Sequence, residues 1–389
     1  MILVSLSLLT LAIWLTLIFA RGFFWQARET CDDLAPLAPA DAAGLRVTAI
    51  VPARDEAATI ARCVTSLLKQ ECPFPFDVVV VDDQSADGTG GIARRAAEAL
   101  GAADRLSVLA GHAPPPGWTG KLNAMQTGLA FVETRGAAPT HILFTDADIE
   151  HAPDTLARLA GCAVRDNRVL VSLMAQLSCQ SSAERWLTPA FVYFFAMLYP
   201  FAWVNDKGRA TAAAAGGCML VDRAALARAG GLAAIGGALI DDCALGRLMK
   251  SVGPIWLGLT RRVVSLRPYP RLDDIRRMVV RSAYAELRYS PLRLAGALVG
   301  LTATFLLPPV LAAHADFAVG GPALLAYVLM VLSFRPMLRR YGMGAWRGLF
   351  LPVVAALYMA FTVESAIVHA LGRGGAWKGR YQAAGSRSE

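Results

Sequence analysis

A chain of 389 residues that is 55% hydrophobic and only 17% charged is too apolar for an ordinary soluble fold, and it is long enough for a folded domain plus membrane segments. The net charge of +8 would suit nucleic acid, acidic small molecules or anionic lipid, but the arginines gather beside apolar stretches, which favours lipid and argues against nucleic acid. Seven scattered cysteines (Cys31, Cys63, Cys72, Cys162, Cys179, Cys218 and Cys243) form no CxxC pair, so a disulfide framework or zinc site is excluded in favour of reduced, buried thiols.

Residues 2–20 carry no charge and span about 28 Å as a helix, close to the roughly 30 Å of a hydrocarbon core. Arg21 and Arg28 follow with Phe23, Phe24 and Trp25 between them, which predicts a transmembrane helix over 1–28 with its C-terminal side in the cytoplasm, rather than a cleaved signal peptide. An Ala/Pro/Asp linker is expected over 29–44. From residue 45 short β-branched runs alternate with helical stretches, predicting a doubly wound parallel α/β domain over 45–260. Strands are expected at 46–51, 77–81, 106–109, 141–144 and 169–175, and a helix at 57–70 with Asp55 as a cap. The site of such a sheet lies at the carboxyl ends of its strands.

Residues 186–204 are apolar but interrupted by Pro189 and Pro200, which suits an interfacial or a buried helix better than a span. The arginine series over 261–293 reads as basic interfacial helices against anionic headgroups. Three apolar stretches follow, at 294–313, 317–334 and 349–371, within a C-terminal membrane region of 294–371. The first two form a hairpin, and Arg335, Arg339, Arg340 and Arg347 return the chain to the cytoplasm. The basic tail over 372–389, with Arg373, Lys378 and Arg380, prefers the same side, so the last stretch is either a span or a re-entrant or interfacial helix allowed by Pro352 and Glu364.

The first strand runs into Pro52-Ala53-Arg54-Asp55-Glu56 and lacks the glycine-rich turn that a dinucleotide-binding dehydrogenase needs, which removes hydride transfer. The second ends in Asp82-Asp83, where a carboxylate can accept hydrogen bonds from a base or ribose, while Asp87 and Gly88 need no role beyond a turn. The fourth ends in Asp146-Ala147-Asp148, and because residues two apart in extended chain point to the same face, the two carboxylates are expected to converge. Two hard oxygen donors with open positions suit Mg²⁺ or Mn²⁺ bridged to a diphosphate. Asp241 and Asp242 open a helical stretch after the glycine-rich Gly216-Gly217-Cys218; one of them is either a base for an acceptor hydroxyl or a helix cap.

With VPARDE, VVVDDQSADGT, DAD, and GGCMLVDRAAL followed by DDCALG in this order, residues 47–250 resemble family 2 of the inverting glycosyltransferases, which have the GT-A fold. That resemblance implies that Arg54, Glu56 and Asp83 contact a uridine, that Asp146 and Asp148 hold ribose, divalent metal and diphosphate, and that Asp242 is the catalytic base. Pro52, Asp82, Lys121, Gly217 and Arg281 complete the expected donor-binding set, and Asp241 is a second catalytic candidate. The loop Pro114-Pro115-Pro116-Gly117-Trp118-Thr119-Gly120-Lys121 looks like a segment of ceramide-glucosyltransferase-like members whose lysine lies near the donor phosphates. One leading span, three trailing apolar stretches and an ending GGAWKGR look most like bacterial hopene-associated glycosyltransferases, implying a hopanoid or related lipid context. The QxxRW-type motif of polysaccharide synthases is reduced here to Arg281 in Met278-Val279-Val280-Arg281-Ser282.

The expectation is therefore a multi-pass enzyme of the inner (cytoplasmic) membrane whose cytoplasmic domain inverts the configuration of one sugar as it passes from a nucleotide diphosphate sugar to a lipid acceptor. A processive polysaccharide synthase is the rival within enzymes, and a non-catalytic nucleotide-binding membrane scaffold is the rival outside them.

Overall fold

The protein is described here by a computed structural model covering residues 1–136, 138–374, 376–377 and 380–381. Lys378 and most of the expected basic tail lie outside the described residues. The chain forms two compact units: one contains Glu29–Ser178 and Trp203–Pro268, the other Met1–Arg28, Cys179–Ala202 and Tyr269–Ala376. This division runs across the sequence boundaries expected at 45 and 260, and it assigns Cys179–Ala202 to the apolar unit.

In the first unit the main sheet comprises β1 (Val47–Ala53), β2 (Phe76–Asp82), β3 (Leu106–Ala110), β4 (His141–Phe144), β5 (Ile149–His151), β6 (Leu170–Gln176), β7 (Met219–Asp222) and β8 (Ile255–Ser265). They lie in the order β3-β2-β1-β4-β7-β6-β8-β5. β1 pairs in parallel with β2 and β4, so every residue of Val-Thr-Ala-Ile-Val-Pro-Ala is buried, as a central parallel strand requires. The five strands read from the sequence form within a residue or two of the expected ends. The wholly parallel sheet does not: β7 runs antiparallel to both β4 and β6, and β5 runs antiparallel to β8. β5, β7 and β8 escape pattern reading because two are only three or four residues long, and Arg261 and Arg262 interrupt the third.

The reversal of β7 has a positional consequence. Phe144 at the end of β4 pairs with Met219 at the start of β7, which brings Gly216 and Gly217 to the carboxyl edge of β1, β2 and β4. Ile149 likewise pairs with Ser265 at the end of β8, so the chain after β8 emerges beside the Asp146–Asp148 segment.

Ile60–Leu68 is a helix whose Ile60, Val64 and Leu67 are fully buried. Asp55 does not cap it: Thr59 holds the cap position, while Asp55 adopts a left-handed φ of 50° and takes the Ala86 amide on its carboxylate at 2.8 Å. Nor is 29–44 a free linker. Cys31 and Leu37 are buried, Leu37 N donates to Ala157 O at 2.8 Å, and Arg165 donates to Ala35 O and Pro36 O.

The second unit is helical. Among the described residues, four helices are long and apolar enough to cross a membrane: Ile2–Phe19, Pro291–Ala312, Phe317–Arg340 and Ala345–Ala370. The last includes an unbroken α-helix over Leu351–Ala370, with Pro352 in its first turn, where the missing N–H costs nothing. Glu364, the acidic residue of this stretch, is ion-paired with Arg276 of the Leu272–Glu286 helix. Ser182–Leu198 is a helix begun by a Ser181/Glu184 capping box. It packs among the others through Tyr193, whose hydroxyl lies 2.7 Å from Ser333 Oγ, and through Phe194 against Phe305 and Tyr358, which suits the buried reading of this segment.

Candidate active site

Three loops leave the carboxyl edge of the sheet, and the first two are tied to each other by backbone amides that donate to side chains. Asp55 N donates to Ser85 Oγ, Glu56 N to Thr89 Oγ1 and Ala57 N to Asp87 Oδ2, which zips the loop after β1 to the loop after β2. Asp87 also accepts from the Thr89 amide and hydroxyl, and Gly88 takes a φ of 80°, the turn roles expected of this pair. Asp82, expected to bind donor, is turned inward: its two carboxylate oxygens accept from Ser85 N and Gly90 N, each at 3.0 Å. Asp83 is buried beside Arg54, which donates to the Asp83 carbonyl at 2.6 Å and lies 3.8 Å from its carboxylate. Pro52 is a buried β1 residue opposite Val81.

β4 ends at Phe144, so Asp146-Ala147-Asp148 is a turn and not a continued strand. Its carboxylates consequently engage different cations. Asp146 Oδ1 lies 2.7 Å from Lys121 Nζ, and Asp148 Oδ2 lies 2.7 Å from Arg267 Nε. Lys121 occupies the first turn of the Gly120–Glu133 helix, which Thr119 caps through the Leu122 amide. The loop before it is held by Thr119 N on Gly236 O at 2.8 Å and by Trp118 lying over Gly236, where an added Cβ would come within 2.7 Å of the indole.

The same ammonium lies 2.9 Å from Asp241 Oδ2. Asp241 and Asp242 form the first turn of the Asp241–Lys250 helix, and neither is its cap. Asp242 is held by backbone amides, accepting from Cys243 N at 2.7 Å and Gly216 N at 3.0 Å. Gly216, rather than the expected Gly217, is open to this cluster: a Cβ there would stand 3.2 Å from Lys121 Nζ, 3.5 Å from Asp242 Oδ2 and 3.6 Å from Asp146 Oδ2. Gly217 instead supplies its carbonyl to the Thr145 hydroxyl at 2.7 Å.

Burial and the neighbouring Asp241 push the Asp242 carboxyl up to about 6, against the pull of Lys121 and the two amides. Burial also raises Asp146, opposed by Lys121. For Lys121 burial works downwards, yet Asp146, Asp241 and Asp242 together hold the ammonium well above its ordinary range. It is a fixed positive charge.

Sequence reading missed Arg267. Its Nη2 lies 2.7 Å from Glu56 Oε1 while Nε takes Asp148, so one guanidinium joins the loop after β1 to the loop after β4. The available signal was the β-branched run that ends in Ser265, with Arg267 two residues beyond it. Arg281 lies on the Leu272–Glu286 helix of the other unit and is exposed, so the unit that holds these carboxylates does not contain it.

Among the described residues no group of three or more His, Cys, Asp or Glu is arranged to hold a metal ion. The donor set offers two turn carboxylates, each with one oxygen already beside a cation. That fits Mg²⁺ or Mn²⁺ completing its shell with phosphate and water, and it does not fit an all-protein cage.

Residues 48–230 match the family model for Glycosyl transferase family 2. That stretch is a family 2 glycosyltransferase domain. An N-acetylglucosaminyltransferase of Rhizobium leguminosarum bv. viciae is 27% identical over 186 residues, 47% of this chain and 41% of that protein, so the match spans about two-fifths of the relative's length. Among solved structures, the mannosyltransferase PcManGT from Pyrobaculum calidifontis, in complex with GDP-Man and Mn²⁺, superposes with a TM-score of 0.56 at 19% identity, covering 94% of this chain and 98% of that one. Mannosyl-3-phosphoglycerate synthase from Rubrobacter xylanophilus gives 0.41 at 20% identity, covering 68% and 82%. The glycosyltransferase domain has the GT-A fold, a mixed sheet with helices, and its DAD turn and Asp241-Asp242 helix start lie at the rim where β7 reverses the sheet.

Proposed function

We propose that this protein transfers a single sugar, with inversion, from a nucleotide diphosphate sugar, a UDP-sugar in the first instance, to the hydroxyl of a lipid. The observation that carries the reading is the meeting of Asp146, Asp241 and Asp242 around Lys121 and Gly216 within a family 2 domain. PcManGT, of the same fold, is described with a nucleotide sugar and Mn²⁺. Four apolar helices and the arginine-rich 261–293 segment favour a lipid acceptor and an inner-membrane location with the catalytic domain in the cytoplasm. A hopanoid or related polycyclic lipid is the acceptor class suggested by the sequence resemblance.

In this reading Asp242 accepts the proton of the acceptor hydroxyl as that oxygen attacks the anomeric carbon. Its carboxyl sits near neutrality, where general-base efficiency is greatest. Asp241 and Asp146 orient Lys121, whose charge faces the diphosphate. Asp83 and Arg54 border the nucleoside, and Glu56 fixes Arg267. A bound Mg²⁺ or Mn²⁺, held by Asp146 and Asp148, supplies Lewis-acid stabilisation of the leaving diphosphate.

Incubating purified protein in lipid nanodiscs with radiolabelled UDP- and GDP-sugars and extracted bacterial lipids tests the proposal. Sugar in the lipid extract, dependent on Asp242, supports it. Nucleotide binding with no transfer to any lipid would favour the scaffold, and a polymer product would favour a polysaccharide synthase.

A further inference from the structure

We propose that Arg267 is a positioning residue that guards Asp148: it occupies the carboxylate when no donor is bound and releases it to a divalent ion only when a nucleoside diphosphate arrives to receive the guanidinium. The inference rests on the transferase reading above and concerns loading of the site rather than the displacement itself.

Four carboxylates (Glu56, Asp146, Asp148 and Asp241) meet two cations, Lys121 and Arg267, at 2.7 to 2.9 Å, and a fifth, Asp242, accepts from the Gly216 and Cys243 amides. Such a concentration of negative charge attracts any divalent ion. Without a competing cation at Asp148 the turn would take up free metal ahead of substrate. Arg267 is built to compete: its planar fork spans Glu56 and Asp148 at once, giving two charge-assisted bonds from a group that does not lose its proton.

It is also built to let go. Its side chain is 36% exposed while those of Glu56 and Asp148 are 13% exposed, so the arginine is the partner with room to move. It lies just beyond β8, where Leu266 N on Asp148 O at 2.7 Å fixes the backbone and leaves the side chain as the moving part. A diphosphate offers the same bidentate acceptor geometry as the carboxylate pair, so a metal–diphosphate complex exchanges partners without stranding a charge. Glu56 stays behind as the arginine's second anchor. Metal and nucleotide then bind with positive coupling, and by linkage each favours the other equally.

The test is Mn²⁺ binding to the full-length protein in detergent, read by electron paramagnetic resonance with and without UDP or GDP. For wild type, nucleotide should tighten Mn²⁺ by at least about tenfold, inside the usual range of coupling between sites. In Arg267→Gln, Mn²⁺ alone should bind at least about fivefold more tightly, and the coupling to nucleotide should fall towards one. Arg267→Lys, a point charge able to hold one carboxylate, should lie between. A merely structural arginine would not make its removal improve metal binding.

Unchanged or weakened Mn²⁺ binding in Arg267→Gln, with nucleotide binding intact, overturns the guard and leaves the transferase reading standing. Tighter binding that persists in the Arg267→Gln, Asp148→Asn double variant overturns it as well, because the metal is then elsewhere. If wild type binds neither UDP nor GDP in the presence of Mn²⁺, the transferase reading falls, and the guard falls with it.

Discussion

Asp242 is where the chemistry is most exposed to test. Asp242→Asn should lower turnover by about 10² to 10⁴, the usual share of a general base, with nucleotide binding retained in calorimetry. In the wild type, kcat/KM should fall as pH drops through about 6, and the variant's residual rate should lose that limb. The same shift acts on stability. A carboxyl raised above its unfolded value of about 3.9 gives its full stabilisation below that pH and loses it as pH rises through about 6. The Tm difference between Asp242→Asn and wild type should therefore widen in favour of the variant between pH 4 and 7. Gly216→Ala is a finer probe. The methyl would press on Lys121 Nζ at 3.2 Å, a flexible end that can yield, so the fold should survive while the displaced ammonium costs roughly 10- to 100-fold in kcat/KM. The candidate carboxylates were legible because Asp and Glu at strand ends have few structural uses. Of their partners, Lys121 was reached only through the resemblance of its loop, and Arg267 was not, since an arginine in a basic series looks like surface charge in one dimension.

Among the elements, the Asp241–Lys250 helix decides whether the two acidic residues reach Lys121 and Gly216. It packs against backbone: a Cβ on Gly246 would lie 2.6 Å from the Ala213 carbonyl carbon and 2.9 Å from Ala214 N. No rotamer relieves such a contact. Gly246→Ala gains helix propensity of about 1 kcal/mol but overpacks against fixed main chain, a cost of about 1–3 kcal/mol. A net loss in denaturant midpoint is expected, with a fall in turnover as the helix shifts; a midpoint above wild type would show that this contact is not made. The strands at 47–53 and 76–82 were readable because a parallel strand buried on both faces must be a continuous β-branched run. β7 was not readable, because Met-Leu-Val-Asp is as short as any turn-flanked apolar tetrapeptide and its direction is set by which strands it joins.

At the scale of the whole molecule, four helices have mean hydropathies between 1.8 and 2.5 over their most apolar windows, with 22% to 39% of those windows buried within the protein. So much outward apolar surface calls for lipid. The chain should remain in the pellet after alkaline carbonate extraction of membranes; recovery in the supernatant would contradict the membrane-bound reading. Hydrophobic runs, the strand-end carboxylates and the alternation of the first half are local properties, and composition and spacing alone determined them. What tertiary structure decided is everything that depends on direction and proximity: the antiparallel β7 that carries Gly216 to the rim, the strap over 29–44, the pairing of Glu364 with Arg276, and the gathering of Lys121 and Arg267 onto carboxylates more than 100 residues away in sequence. Ion pairs act through space, so a sequence names the charges but only a folded chain selects which of them meet.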